Sequence, residues 1–371
     1  MYNKRVKYLA VLGRLPKISL AELESLFDKV EPLGPGLATF EAKETPDINR
    51  LGGIQKIGEE LEGGFNGALK YLNELPEGKI TLGISDFRKN TRAFKAQGEA
   101  LKFKKILQRH GRSVRVLQNK AAVLSTATSH HNQLAEKKNH VEIMLTDSGN
   151  YKLTGVQNIS QYAKRDQARP ARDAKVGMLP PKLAQILINL CGPLKPNSIV
   201  LDPFCGTGVV LQEAFLMGYT PYGTDLEPRM IDYSKKNLDW LGSKNYILSQ
   251  GDATSFKWDK IDAIAAEAFL GQPMSGPPAE IKLKQEKERC RAIILGFLKN
   301  LGPQIKENTP VVVAVPAWLR PNGEYSRLNI LDEAEKLGYN VKKFINLGPS
   351  DLLYYREGQI VARDIIVLRK K

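Results

Sequence analysis

Short apolar runs of strand length alternate with stretches of helical period along most of the chain. Val6–Leu12 is a run rich in Val, Leu and Tyr that predicts a strand. Ser19-Leu20-Ala21-Glu22 has the spacing of a capping box and opens a predicted helix through Phe27, with Leu20, Leu23 and Leu26 on one side. Pro32, Gly34, Pro35 and Gly36 predict a turn before Leu37–Phe40, and 54–61 reads as a second short helix ending at Gly63-Gly64. Lys79–Ser85 predicts another strand. A cationic helix follows over 99–109, with Leu101, Phe103 and Leu107 inward and Lys102, Lys105 and Arg109 outward. Further strands are expected at Val114–Leu117 and Val141–Leu145.

From about residue 150 the pattern changes. Residues 160–175 are polar and basic, as in a linker, and Pro181–Leu190 has the period of a helix. Strands are then predicted at 198–202, Thr220–Thr224, Tyr246–Ser249, Ile261–Ala265 and Pro310–Val315, with helices at Val209–Met217 and Glu280–Leu301 between them. That alternation implies a parallel sheet covered by helices. Residues 271–278 form a Gly/Pro-rich loop placed to close over a substrate, and Trp318 is expected to pack beneath the sheet.

Length and charge narrow the picture. At 371 residues the chain has room for two or three domains, and its 42% hydrophobic and 26% charged content is that of a globular protein. Three cysteines make neither a disulfide framework nor a Cys-based zinc site, which points to a reducing compartment. No apolar run reaches the ~18–20 residues of a membrane span, so a soluble, cytoplasmic chain is expected. The net charge is +15, and residues 76–175 alone hold 20 Lys/Arg against 8 Asp/Glu. A charge so concentrated is the footprint of a polyanion partner, with nucleic acid ahead of a membrane because no amphipathic apolar face accompanies it. All four histidines lie in this segment without metal-ligand spacing, so no metal site is expected.

The chemistry concentrates at Ser198-Ile-Val-Leu-Asp-Pro-Phe-Cys-Gly-Thr-Gly208. This is an apolar strand ending in Asp202, a turn with two glycines, and a helix. The glycines let backbone approach a ligand, and the helix N-terminus favours electron-rich groups. Asp225 ends the next strand, where an acid can accept both hydroxyls of a ribose, and Asp252 follows the third, where it can read an adenine amino group. A dinucleotide fingerprint fails because Leu211 stands where its third glycine belongs, and no Gly-Lys-Ser/Thr of a P-loop follows.

Asp-Pro-Phe-Cys-Gly-Thr-Gly resembles the S-adenosylmethionine loop of class I methyltransferases. The resemblance assigns cofactor binding to Asp202, Phe204, Cys205, Gly206, Thr207, Gly208, Asp225, Leu226, Asp252 and Ala253. Arg169–Ala184 with Ile186–Leu190 is similar to the segment preceding that loop in THUMP-containing tRNA guanine-N2 methyltransferases, and Leu353–Leu368 to that family's closing hairpin. Tyr8–Gly13 and Leu20–Leu26 resemble its ferredoxin-like opening domain, and Leu82–Ser85 with Gly111–Leu117 its THUMP domain. The implied architecture is α/β: a ferredoxin-like domain over 1–75, a THUMP-like RNA-binding domain over 76–160, and a Rossmann-like methyltransferase domain over 161–371. The implied partner is tRNA, held through Lys102, Lys105, Arg109, Arg112, Arg165 and Arg169. A monomer is expected, and some relatives need a small activator subunit.

One departure from the family falls at its centre. Amino-group methyltransferases end the fourth strand in an Asp-Pro-Pro-Tyr type motif, whereas this chain has Ala266-Glu267-Ala268-Phe269-Leu270-Gly271, without either proline. The corresponding roles fall to Glu267 as acceptor of the target NH2 and to Phe269 as the stacking face. The alternatives are a DNA amino-methyltransferase, or an RNA-binding protein that has lost methyl transfer. Carbon-5 methylation would need a cysteine nucleophile, and Cys205 lies inside the cofactor loop.

Overall fold

The computed structural model describes residues 5–173 and 179–371. These form two compact units. The first comprises the chain up to Pro16 with Phe27–Arg50 and Ile54–Gln161; the second comprises Lys17–Leu26, Leu51–Gly53 and the chain from Tyr162 on. Helix α1 (Pro16–Leu26) therefore falls almost wholly in the second unit.

The first unit is built on one sheet. Strands β1 (Val6–Leu12), β2 (Asp28–Gly34), β3 (Leu37–Ala42), β4 (Ile54–Leu61), β5 (Ile80–Asp86), β6 (Val114–Val116), β7 (His140–Thr146) and β8 (Gly149–Val156) lie in the order β2-β3-β1-β4-β8-β7-β5-β6. Antiparallel pairing of β4 with β8 carries hydrogen bonding across the boundary expected at residue 75. Helices α2 (Gly64–Asn73), α3 (Ala93–Arg109) and α4 (Thr126–His131) complete the unit. β4 corrects the helix expected at 54–61. It is an interior strand with Ile54, Lys56 and Ile57 all buried, so apolar residues on both of its faces imitate a helical period. Gly58 lets the Met144 methyl pack close against the strand, since a Cβ there would meet it at 2.0 Å. Lys56 donates to Glu142 Oε1 at 2.6 Å and to Leu124 O, while Ser85 and Ser129 donate to the same carboxylate. The buried charges are thereby paired and hydrogen-bonded. On α3 the buried stripe is Ala96, Ala100, Phe103 and Leu107; Leu101, expected inward, is 51% exposed.

In the second unit the polar stretch expected as a linker contains α5 (Ile159–Gln167), which the unit boundary crosses. It is followed by α6 (Pro181–Leu190), β9 (Ile199–Asp202), α7 (Val209–Leu216), β10 (Thr220–Asp225), α8 (Pro228–Trp240), β11 (Ile247–Gln250) and β12 (Ala263–Glu267). Then come α9 (Glu280–Leu301), β13 (Pro310–Leu319), β14 (Tyr325–Arg327), α10 (Leu331–Lys336), β15 (Tyr339–Val341), β16 (Leu353–Tyr354) and β17 (Val361–Lys370). The sheet order is β11-β10-β9-β12-β13-β17-β15, parallel through β13 and antiparallel where β17 joins it. This is a Rossmann-like sheet, as expected for 161–371. From β9 the chain winds outward in one direction and then returns to β12 on the other side, so the switch point lies at the carboxyl ends of β9 and β12. Trp318 is fully buried in the core beside Phe297 and Tyr339. No described helix is long and apolar enough to cross a membrane.

The Ser19–Glu22 pair is not a capping box, because α1 starts three residues earlier. Its side chains hold the Gly52-Gly53 turn instead. Ser19 Oγ donates to Gly53 O at 2.7 Å. Glu22 accepts the Gly52 and Gly53 N–H groups at 2.9 and 2.8 Å and the Asn189 amide at 2.8 Å. Gly52 must be glycine, since a Cβ would lie 2.0 Å from Lys182 O. Burial pushes the Glu22 carboxyl up to about 7. The folded state therefore holds this proton more tightly than the unfolded chain, and the stability it contributes falls as pH rises from the ordinary glutamate range through about 7. Glu22→Ala removes a carboxylate that accepts two backbone N–H groups and an amide, and urea unfolding is expected to show a loss of about 2–4 kcal/mol. Glu22→Gln is expected to remove the pH-dependent part of the difference.

Candidate active site

β9 runs buried through Val200 and Leu201 and delivers Asp202 to the switch point. The chain then turns through 203–208 into α7. Gly206 and Gly208 take φ of +52° and +77°, in the left-handed region that favours glycine. At Gly208 a Cβ would also strike Ser234 Oγ at 2.7 Å. At Gly206 the nearest atom to a Cβ would be 3.9 Å away, which leaves bare backbone facing open space.

Two acids organise this turn. Asp202 Oδ1 accepts the Phe204 N–H at 3.1 Å, and Asp225, at the end of β10, accepts the Gly206 N–H at 2.8 Å and the Glu227 N–H at 3.0 Å. Burial pushes the Asp202 carboxyl well above the usual carboxylate range, and the charges of Asp225 and Glu267 push the same way. Asp225 is raised chiefly by burial, opposed by the N–H groups it accepts. Both acids thus favour a ligand that brings donors or positive charge.

Two residues that motif spacing did not single out support the loop from α8. Ser234 Oγ donates to Gly206 O at 3.0 Å. Asn237 donates to Thr207 O at 2.8 Å and makes a two-way bond with the backbone of Ala171. Their signal in the sequence is two small polar residues three apart on a helix, both fully buried. Of the other expected cofactor residues, Phe204 is half-buried, edge-on to Phe297. Cys205 turns into the core, and burial raises its thiol well above the usual range, as it raises Cys191 and Cys290 to about 12. No thiolate nucleophile follows from such sites. Thr207 and Ala253 are buried, and Leu226 is 62% exposed. Asp252 is exposed, and its Oδ1 accepts from both the backbone and the hydroxyl of Thr254.

Glu267 ends β12, which is parallel to and paired with β9. Its Oε1 accepts Arg363 Nε–H at 2.7 Å, a partner from the antiparallel strand β17 that the sequence did not indicate. Phe269 is half-buried against the core, with the Arg289 guanidinium 5.0 Å from its ring centroid. A base stacking on that face would displace the arginine or share the ring with it.

The six basic residues expected on an RNA-facing surface divide. Lys102, Lys105 and Arg109 are exposed along α3, with Lys102 2.9 Å from Glu99. Arg112 is turned to the carbonyls of Asn73, Leu75 and Pro76, fastening the turn between α2 and β5. Arg165 is committed to the buried Glu213 at 2.7 Å. Arg169 is buried at 3% exposure, two residues from the Ala171 that Asn237 holds. Arg112 and Arg165 serve the fold where the charge count alone suggested a surface, whereas the enclosed Arg169 guanidinium makes no hydrogen bond among the described residues.

The model of the RMKL-like methyltransferase domain matches residues 169–290, which carry this loop and both strands that meet at it. The tRNA (guanine(10)-N2)-dimethyltransferase of Methanothermobacter thermautotrophicus is 32% identical over 157 residues, covering 42% of this chain and 44% of that protein. The protein of Methanothermococcus thermolithotrophicus named "probable tRNA (guanine(10)-N2)-dimethyltransferase" is 38% identical over 141 residues, 36% of this chain and 78% of that one. The chain belongs to the tRNA guanine-N2 methyltransferase family. Its match spans less than half the length of the first of these relatives. TrmN from Thermus thermophilus aligns with 99% of this chain and 100% of its own at 18% identity and a TM-score of 0.49. That likeness is loose, and the fold rests on the strand order itself.

In this family member, Asn237→Ala would remove the shorter of two hydrogen bonds to the Thr207 carbonyl and both bonds to the Ala171 backbone together. A loss of about 2–3 kcal/mol in urea unfolding is expected, against about 1 kcal/mol for Ser234→Ala, whose hydroxyl makes a single bond to the loop carbonyl.

Proposed function

We propose that this chain is an S-adenosylmethionine-dependent tRNA methyltransferase acting on the exocyclic N2 amine of a guanosine, with its basic first unit docking the tRNA. The observation that carries the reading is the pair of acids, Asp202 and Asp225, that holds one glycine turn at the switch point. The residues there fit the cofactor. Bare backbone at Gly206 admits a close ligand, Asp225 retains lone pairs for ribose hydroxyls, and Asp202 faces the end where positive charge is welcome. S-adenosylmethionine supplies the methyl group as an electrophilic sulfonium substituent.

What this chain's residues contribute is positioning. A base amine is a weak nucleophile because its lone pair is delocalised into the ring. A carboxylate oxygen of Glu267 and a backbone carbonyl beside it would accept the two N–H bonds, orienting the nitrogen and returning lone-pair density to it. Phe269 gives the flipped base a face to stack on. The three buried thiols favour amine methylation over carbon-5 chemistry. In the first unit, proposed as the THUMP-like tRNA-docking half, Lys102, Lys105 and Arg109 are the phosphate contacts, giving salt-dependent binding of RNA shape.

The test offers the purified chain labelled S-adenosylmethionine with bulk unmodified tRNA and, in parallel, duplex DNA, followed by nucleoside mass spectrometry. N2-methylguanosine or N2,N2-dimethylguanosine from tRNA alone is the expected product. Label only in DNA, or none despite cofactor binding, contradicts the reading. Phe269→Ala is expected to lower kcat by about 10- to 100-fold with little change in tRNA affinity. Replacing Lys102, Lys105 and Arg109 together by Ala should weaken tRNA binding and flatten its dependence on salt.

A further inference from the structure

The Glu267–Arg363 contact joins two strands that are not neighbours. Glu267 on β12 is in register with Ala314 on β13; Ala314 is in register with Ile365 on β17, and Pro316 with Arg363. Side chains repeat on a face every second residue, so Glu267, Ala314, Pro316 and Arg363 share one face of the sheet. With strands about 4.8 Å apart, the arginine crosses β13 to reach the glutamate. The fully buried Ala314 leaves the path open where a longer side chain would close it. Asp364, one residue on, points to the opposite face and pairs with Arg327. The crossing is therefore specific to position 363.

We propose that Arg363 is a positioning residue for methyl transfer: it fixes one oxygen of Glu267 so that the other faces the target amine. The inference rests on the function proposed above. The bond runs from Nε to Oε1 alone, and among the described residues no hydrogen bond reaches Oε2. The family motif stiffens this loop with two prolines; here 266–271 has neither, and the constraint comes from a side chain on β17. The pair is also well shielded, with the Arg363 and Glu267 side chains 8% and 16% exposed, so water competes little for it. A glutamate is longer than the aspartate it replaces and has one more rotatable bond, and the arginine removes that freedom.

The experiment compares the full-length wild type with Arg363→Gln, Arg363→Lys, Glu267→Gln and the double variant Arg363→Gln/Glu267→Gln. For each, kcat and KM with tRNA are measured, and S-adenosylhomocysteine affinity serves as the control for an intact loop. Arg363→Gln is expected to lower kcat about 10- to 100-fold, with KM and S-adenosylhomocysteine affinity within about threefold of wild type, and Arg363→Lys to recover part of the loss. The double variant should be no slower than Glu267→Gln alone, because the arginine acts only through the glutamate. Losses that multiply in the double variant, or an undiminished kcat in Arg363→Gln, overturn the proposal while leaving the methyltransferase reading intact. Loss of S-adenosylhomocysteine binding in both arginine variants assigns Arg363 to folding and overturns it as well. A wild type that methylates no RNA removes the functional reading, and this inference with it.

Discussion

The hydrogen bond from the Gly206 N–H to Asp225 is the constraint on which the site depends. It ties the turn after β9 to the end of β10, so the loop's shape follows from the register of two parallel strands and not from the loop's own preferences. Ser234 and Asn237 add a second anchorage from α8, and through Ala171 Asn237 extends it to the segment before α6. The backbone at Gly206 is held in the left-handed region with a side-chain-free face to open space. A turn held this way is formed before any ligand arrives, which would lower the ordering cost of binding there.

Around that turn the electrostatics are deliberately unfavourable. Asp202 is raised by burial and by two neighbouring carboxylates, and Asp225 by burial. Such strain in the free protein is relieved by a ligand with positive charge and hydroxyl donors, which is a physical basis for selecting a sulfonium nucleoside. Among the described residues, Glu267 differs from the other two in having a cation of its own in Arg363. It can therefore keep a fixed orientation, while in the proposed reading the other two acids serve the cofactor.

The sequence disclosed the second unit well and the first less so. Parallel strands buried on both faces read as continuous apolar runs, and the turns after β9 and β10 are marked by glycine and aspartate, so those strands were legible in order and near their true boundaries, whereas α8 (Pro228–Trp240) was not foreseen. β4 was not, because an interior strand with a buried lysine has no period-two pattern to read. α5 passed for a linker because it buries only Tyr162. Net charge located the basic unit, yet it could not tell Lys105, which faces solvent, from Arg165, which neutralises a buried glutamate. The partners of Glu22 and Glu267 lie far along the chain, at Gly52, Gly53 and Asn189 for one and at Arg363 for the other. Contacts of that separation leave no local spacing to find.

The central claim is that the turn clamped by Asp202 and Asp225 is the cofactor pocket of a methyltransferase. Calorimetric titration of S-adenosylhomocysteine into the wild type and Asp225→Ala tests it most directly. The account predicts one site per chain in the wild type, with affinity weakened at least about tenfold in the variant, the loss of roughly 1.4 kcal/mol that goes with a ribose contact and the loop clamp. No binding to the wild type, or equal binding by both proteins, would contradict it.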